Sequence, residues 1–224
     1  MRSALALAGF ALALSSLPAA AQDKPPQHVR GDITAVNGDT LDVRTRAGQV
    51  VHVKLADNVG VAKVEEADAS AIADGSFVGI TAVPQSGGKL VAKEVHVFPE
   101  AMRGTGEGHR PWDLGAGSSM TNGAVSGMSA GKAGAAKRGT GSSMTNATVS
   151  GMKKSGGERT LQLTYKGGEQ TVVVPSNIPI VKLGPGDRSL LKPGAHVFVI
   201  ATEENGTLTA QRMMVGEGGV VPPM

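Results

Sequence analysis

One run of strand signals occurs twice in this chain, and that duplication restricts its fold more than any other feature. Asn58 and Asn177, Val59 and Ile178, Ile72 and Leu191, and Gly75 and Gly194 are each separated by 119 residues. The first segment spans about Val29 to Phe98. It reads Ile33–Val36, a turn at Asn37-Gly38, Leu41–Arg44, a turn at Ala47-Gly48, then Val50–Leu55. Asn-Gly between alternating apolar residues signals a hairpin. The second segment spans about Thr148 to Val215 and reads Leu161–Tyr165, Gly167-Gly168, Thr171–Val174. Ala67–Ala73 predicts a short helix, and Asp187 is placed to cap a single turn ending near Leu191. Phe77–Val83 then matches His196–Thr202, and Leu90–Val97 matches Leu208–Val215. Each unit therefore predicts three strands, a short helix and two strands. That order is the five-stranded OB-like β-barrel, with a split sandwich of the same strands as the alternative. Two copies are too few for a solenoid.

The expected organisation is all-β: a signal peptide over 1–21, a first barrel over 22–98, a flexible basic linker over 99–147 and a second barrel over 148–224. The joint is rich in Gly, Ser, Ala and Met, with little hydrophobic periodicity. Within it Gly117–Asn122 followed by Val125–Met128 recurs 24 residues later as Gly141–Asn146 followed by Val149–Met152. Because the later copy runs towards Leu161, it is expected to be the entry strand of the second barrel and the earlier copy a local duplication. From Leu114 to Gly157 the charges are Lys132, Lys137, Arg138, Lys153 and Lys154, with no acid. Attraction to an anionic surface would therefore be local.

Arg2, the apolar run Ala4–Leu14 and Ala19-Ala20-Ala21 form an export signal with cleavage expected after Ala21. The mature chain is expected to be soluble, periplasmic or secreted, and not inserted in a membrane, since no later stretch reaches the roughly 20 apolar residues a span requires. The chain has no cysteine. Disulfides, thiolate metal sites and a cysteine nucleophile are thereby excluded.

Gly127-Met128-Ser129-Ala130-Gly131 matches the nucleophile-elbow pattern, yet the chain lacks the alternating strands and helices that a strand-to-helix elbow requires. Gly104-Thr105-Gly106-Glu107-Gly108 lacks a following helix and reads as connector, not a dinucleotide loop. His28, His52, His96, His109 and His196 show no zinc-ligand spacing. Of these, His52, His96 and His196 are expected to be outward-facing or half-buried strand residues. Met120, Met128, Met144 and Met152 carry soft thioethers, but the duplication itself accounts for their recurrence. Met213-Met214 aligns with Val95-His96 and suggests core filling for one residue of each pair. Aromatic residues make up 3% of the chain, too few for base-stacking platforms, so nucleic acid is not an expected partner. Asn146-Ala147-Thr148 and Asn205-Gly206-Thr207 match the glycosylation sequon.

His109-Arg110-Pro111-Trp112-Asp113 holds the chain's only Trp. Trp and Arg are common binding anchors. The competing reading has Trp112 folding back to plug a barrel end while Arg110 and Asp113 form a local ion pair. The candidate binding residues are His109, Arg110, Trp112, Asp113, Lys153 and Lys154, with no catalytic or metal residues and no cofactor.

The stretches His109–Asn122, Tyr165–Pro175, Ile178–Gly186, Leu190–Val199 and Gly218–Met224 resemble a bacterial family of exported proteins known only as a domain of unknown function. Some members carry the label metal ABC transporter permease. A permease crosses the bilayer in several apolar helices, so the resemblance implies at most a soluble accessory. It supplies no catalytic residues. The expected function is a non-enzymatic binding or scaffolding module for a protein or anionic envelope polymer; the alternative is an accessory copper- or zinc-binding protein.

Overall fold

The computed structural model describes residues 25–130 and 157–223. The expected signal over 1–21, the later copy of the duplicated stretch and Lys153 and Lys154 lie outside them. The described residues form an all-β structure. The strands are β1 (Gln27–Asn37), β2 (Thr40–Thr45), β3 (Val50–Ala67), β4 (Phe77–Gln85), β5 (Lys89–Val97), β6 (Gly108–Pro111), β7 (Ser119–Ala130), β8 (Arg159–Tyr165), β9 (Gly168–Val174), β10 (Ile180–Pro185), β11 (His196–Glu204) and β12 (Thr207–Gly216). Single 3-10 turns at Ala69–Ala71 and Arg188–Leu190 occupy the positions expected to be helical. Asp68 and Asp187 cap them, accepting from the Ser70 and Ser189 amides.

β1, β2 and β3 form a meander, β12 lies parallel to β3, and β11 is antiparallel to both β12 and β1. This closes a five-stranded barrel around Ile33, Leu41, Val43, Val53, Val199 and Met213. A second ring joins β4, β5, β9, β8 and β7 and closes through the short parallel ladder Leu90↔Val172 and Val91↔Val173. Ile80, Val95, Leu161, Leu163 and Val172 fill it.

Neither segment closes on itself, contrary to the expected 22–98 and 148–224 barrels. The first segment gives β1–β3 to the first ring and β4 and β5 to the second; the second segment gives β11 and β12 to the first ring and β8 and β9 to the second, whose fifth strand, β7, comes from the joint. The cause lies in β3, an unbroken run of 18 residues. With a contour of up to about 60 Å at about 3.3 Å per residue, and a register shift between Leu55 and Gly60 along β12, it pairs with β2 and β12 of the first ring and then with β10 before β4 begins. Its counterpart is broken by Pro175 and Pro179 into β9 and β10, as expected of residues without an amide donor. β10 then pairs antiparallel with the end of β3, with Val64 opposite Leu183. These two residues are repeat equivalents, since 183 − 64 = 119, the spacing of the duplication. The ladder thus sits on a local pseudo-twofold about which the halves trade their last two strands.

The joint also differs from a featureless linker. The earlier copy of the duplicated stretch, not the later, builds β7, which pairs with β4, β6 and β8. Gly123 supplies a physical reason: a Cβ there would lie 2.7 Å from the Thr164 carbonyl oxygen. The later copy carries Ala147 at the matching position. Gly31 of β1 has the same role, with the Arg44 carbonyl 2.0 Å from a Cβ built there.

β4 is buried from Phe77 to Ala82 because both its faces are covered. Val78, Ile80 and Ala82 point into the second ring. Phe77 belongs to a third cluster with Phe98, Leu183, Phe198, Val64 and Met214, packed at the waist between the rings.

Candidate functional site

The waist is apolar at its centre and polar along one side. On β7, β4 and β5 the cross-strand row Met120–Thr81–Glu94 follows from the pairings Thr81↔Met120 and Thr81↔Glu94. Thr81 and Glu94 are both buried. Thr81 Oγ1 donates to Glu94 Oε1 at 2.7 Å and lies 3.8 Å from Met120 Sδ. Burial pushes the Glu94 carboxyl up to about 7, against the Thr81 hydrogen bond and the nearby Arg30 and Arg46.

His96, two residues along β5, is 2% exposed and therefore not the outward or half-buried residue expected. Its Nε2 donates to the Pro223 carbonyl at 2.8 Å, which fixes the proton on that nitrogen. Burial drives its pKa down to about 4. Its Nε2 lies 3.7 Å from Glu94 Oε1, within ion-pair distance. Between pH 4 and 7, however, both groups favour their neutral forms, so the contact is a polar pairing without opposed charges.

Beside this row lies the sequence-predicted segment. His109 and Arg110 sit on β6 and are held by its ladder with β7. His109 Nδ1 is 2.8 Å from Thr121 Oγ1, and its ring stacks on Tyr165 at 6.5 Å. Trp112 packs at 4.5 Å from the His28 ring and 6.3 Å from Phe198. It folds back, as the competing reading held, but into the waist and not a barrel end. Asp113 does not pair with Arg110. It accepts two bonds from Arg30, at 2.6 and 2.9 Å, and one from His28 at 3.0 Å. The Arg30 bonds chiefly hold its carboxyl down to about 2. Arg110 donates to the Gly106 carbonyl, and its guanidinium lies 5.7 Å over the Trp112 ring.

The structure thus brings Arg110, Trp112 and Asp113 together with His28 and Arg30, while His109 contacts Thr121 and Tyr165 instead; His28, Arg30 and the neighbouring Glu94 and His96 are residues that sequence reasoning missed. Three buried polar atoms along the β6–β7 ladder, Trp112 Nε1, Ser119 Oγ and Asn122 Oδ1, have no hydrogen-bond partner among the described residues. Ser129 lies in the β7–β8 ladder opposite Thr160, in extended strand and not at an elbow. Met213 and Met214 are both buried, one in the first barrel and one at the waist. Among the described residues no three His, Asp or Glu side chains are grouped to share a metal ion. None of the described helices is long and apolar enough to cross a membrane.

The architecture defines a β-barrel protein with exchanged strands. Residues 30–96 match the family model of a domain of unknown function, DUF5666, a stretch running through β1 to β5. No curated protein and no solved structure matches the chain. The matched sequence unit is split between the two rings.

Proposed function

We propose that the chain is a non-enzymatic, exported binding or scaffolding module, built from two OB-like barrels and working in the periplasm or outside the cell. The meander followed by parallel closure in each ring supports the OB-like reading. The partner is a protein or anionic envelope polymer, and the contact surface is His109–Asp113 with the basic stretch beyond β7 that includes Lys153 and Lys154.

One observation carries this reading. The segment holding the chain's Trp is clamped between the rings, with Asp113 fixed by Arg30 and His28 and Arg110 laid over the indole. Side chains ordered before contact give up less entropy on binding.

Co-sedimentation with purified anionic envelope polymer over a salt series tests the proposal. Wild type is expected to be retained at low salt and released as salt rises. A Trp112→Ala, Arg110→Ala variant should bind at least about fivefold more weakly, the scale of a single binding anchor. Neutralising Lys153 and Lys154 should flatten the salt dependence. Unchanged retention in all variants would remove the proposed surface.

A further inference from the structure

The C-terminal strap has a feature independent of the surface just described. After β12 the chain turns back through Gly218 and Gly219, at φ 62° and 86°. A Cβ on Gly216 would lie 1.6 Å from the Val220 carbonyl oxygen, so that glycine permits the tight return. The Glu217 amide donates to the Val64 carbonyl at 2.9 Å, and Val220 packs against the waist cluster. Pro222 is buried. Clefts of about 340 and 250 Å³ border the strap, one lined by Lys192, His196 and Gly216, the other by Asp32, Arg44, Arg46 and Val221.

At the two prolines the polar contacts run in one direction. His96 Nε2, from the second ring, donates to the Pro223 carbonyl at 2.8 Å. Arg46, from the end of β2 in the first barrel, points Nη2 at the Pro222 carbonyl at 3.5 Å. Pro222 and Pro223 have carbonyl acceptors and no amide donors. A slot that presents donors alone, one from each ring, matches an extended Pro-Pro segment, which enters already stiff and loses little entropy.

We propose that this slot is a binding site for an extended polypeptide segment with two consecutive prolines, occupied in cis by Val221-Pro222-Pro223. A tethered tail competes at roughly millimolar effective concentration, so a free segment binds only once the strap is released.

The probe is a fluorescent peptide of residues 218–224, followed by anisotropy against the full-length chain. Val220→Asp, which places a charge against the waist cluster, should release the strap and bind the peptide at least tenfold tighter than wild type. Adding His96→Phe should abolish the gain, and a peptide with alanines in place of both prolines should not bind. Equal binding by wild type and Val220→Asp, or equal binding of the alanine peptide, would overturn the proposal. Should Val220→Asp fail to fold, hydrogen exchange of wild type decides. Excess peptide at millimolar concentration should accelerate exchange at the Glu217 amide, and unchanged protection contradicts the proposal.

Discussion

Glu94 and His96 link single residues to the behaviour of the molecule, because both are buried and their pKa values move in opposite directions. Glu94 is raised to about 7, so the folded state holds its proton more tightly than the unfolded chain. Its contribution is fully present below about pH 4.5 and is lost as pH rises through 7. His96 is lowered to about 4, so its contribution is present above about pH 6.5 and lost as pH falls through 4. The two slopes offset each other between about 4.5 and 6.5, and stability declines on either side. At about 1.4 kcal/mol per pKa unit, Glu94→Gln should stabilise the fold by on the order of 3 kcal/mol at pH 8 and have little effect at pH 4.5. Denaturant unfolding at the two pH values measures this; an equal effect at both would contradict it. Neither burial was legible in the sequence. Glu94 and His96 alternate with Val95 and Val97, as residues on a solvated face would, and only the covering by the other ring and the strap makes that face dry.

At the scale of elements, turns and strand order were legible, and the choice between duplicate strands was not. Gly38 and Gly167 turn at positive φ where hairpins were expected. Asn205-Gly206, noted in the sequence for its sequon, is itself a turn, with φ of 50° and 79° and Glu204 paired to Thr207. The signal that separates the two copies was present but unread: Gly31 in the first segment has its counterpart in Gly123, whereas the later copy has Ala147. Gly123→Ala should therefore destabilise the fold by about 1–3 kcal/mol, the usual cost of overpacking, read as a lower urea midpoint at unchanged slope. No change would mean that β7 tolerates the Cβ and that the choice of copy has another origin.

For the whole molecule, the repeat revealed that two similar strand sets exist but not which strands close with which. Periodicity reports the face of a strand and is silent on its partner. The partner was decided by the unbroken length of β3 and by the prolines that divide its counterpart. Because each ring holds strands from both halves, the rings should unfold together. Leu41→Ala in the first and Leu161→Ala in the second, both 0% exposed, should each cost about 2–5 kcal/mol and lower one shared thermal transition. Two separable transitions, each moved by one variant alone, would contradict this.

Strand exchange is tested most directly by engineered disulfides in a chain that has no cysteine of its own. Asp32 lies opposite His196 across β1 and β11, whereas a first segment closed on itself would set Asp32 opposite Phe77, the repeat equivalent of His196 at 196 − 119 = 77. On mild oxidation of monomeric protein, Asp32→Cys with His196→Cys should form an intramolecular bond, and Asp32→Cys with Phe77→Cys should remain reduced. The reverse outcome would show each half closing on itself and would contradict the exchanged architecture.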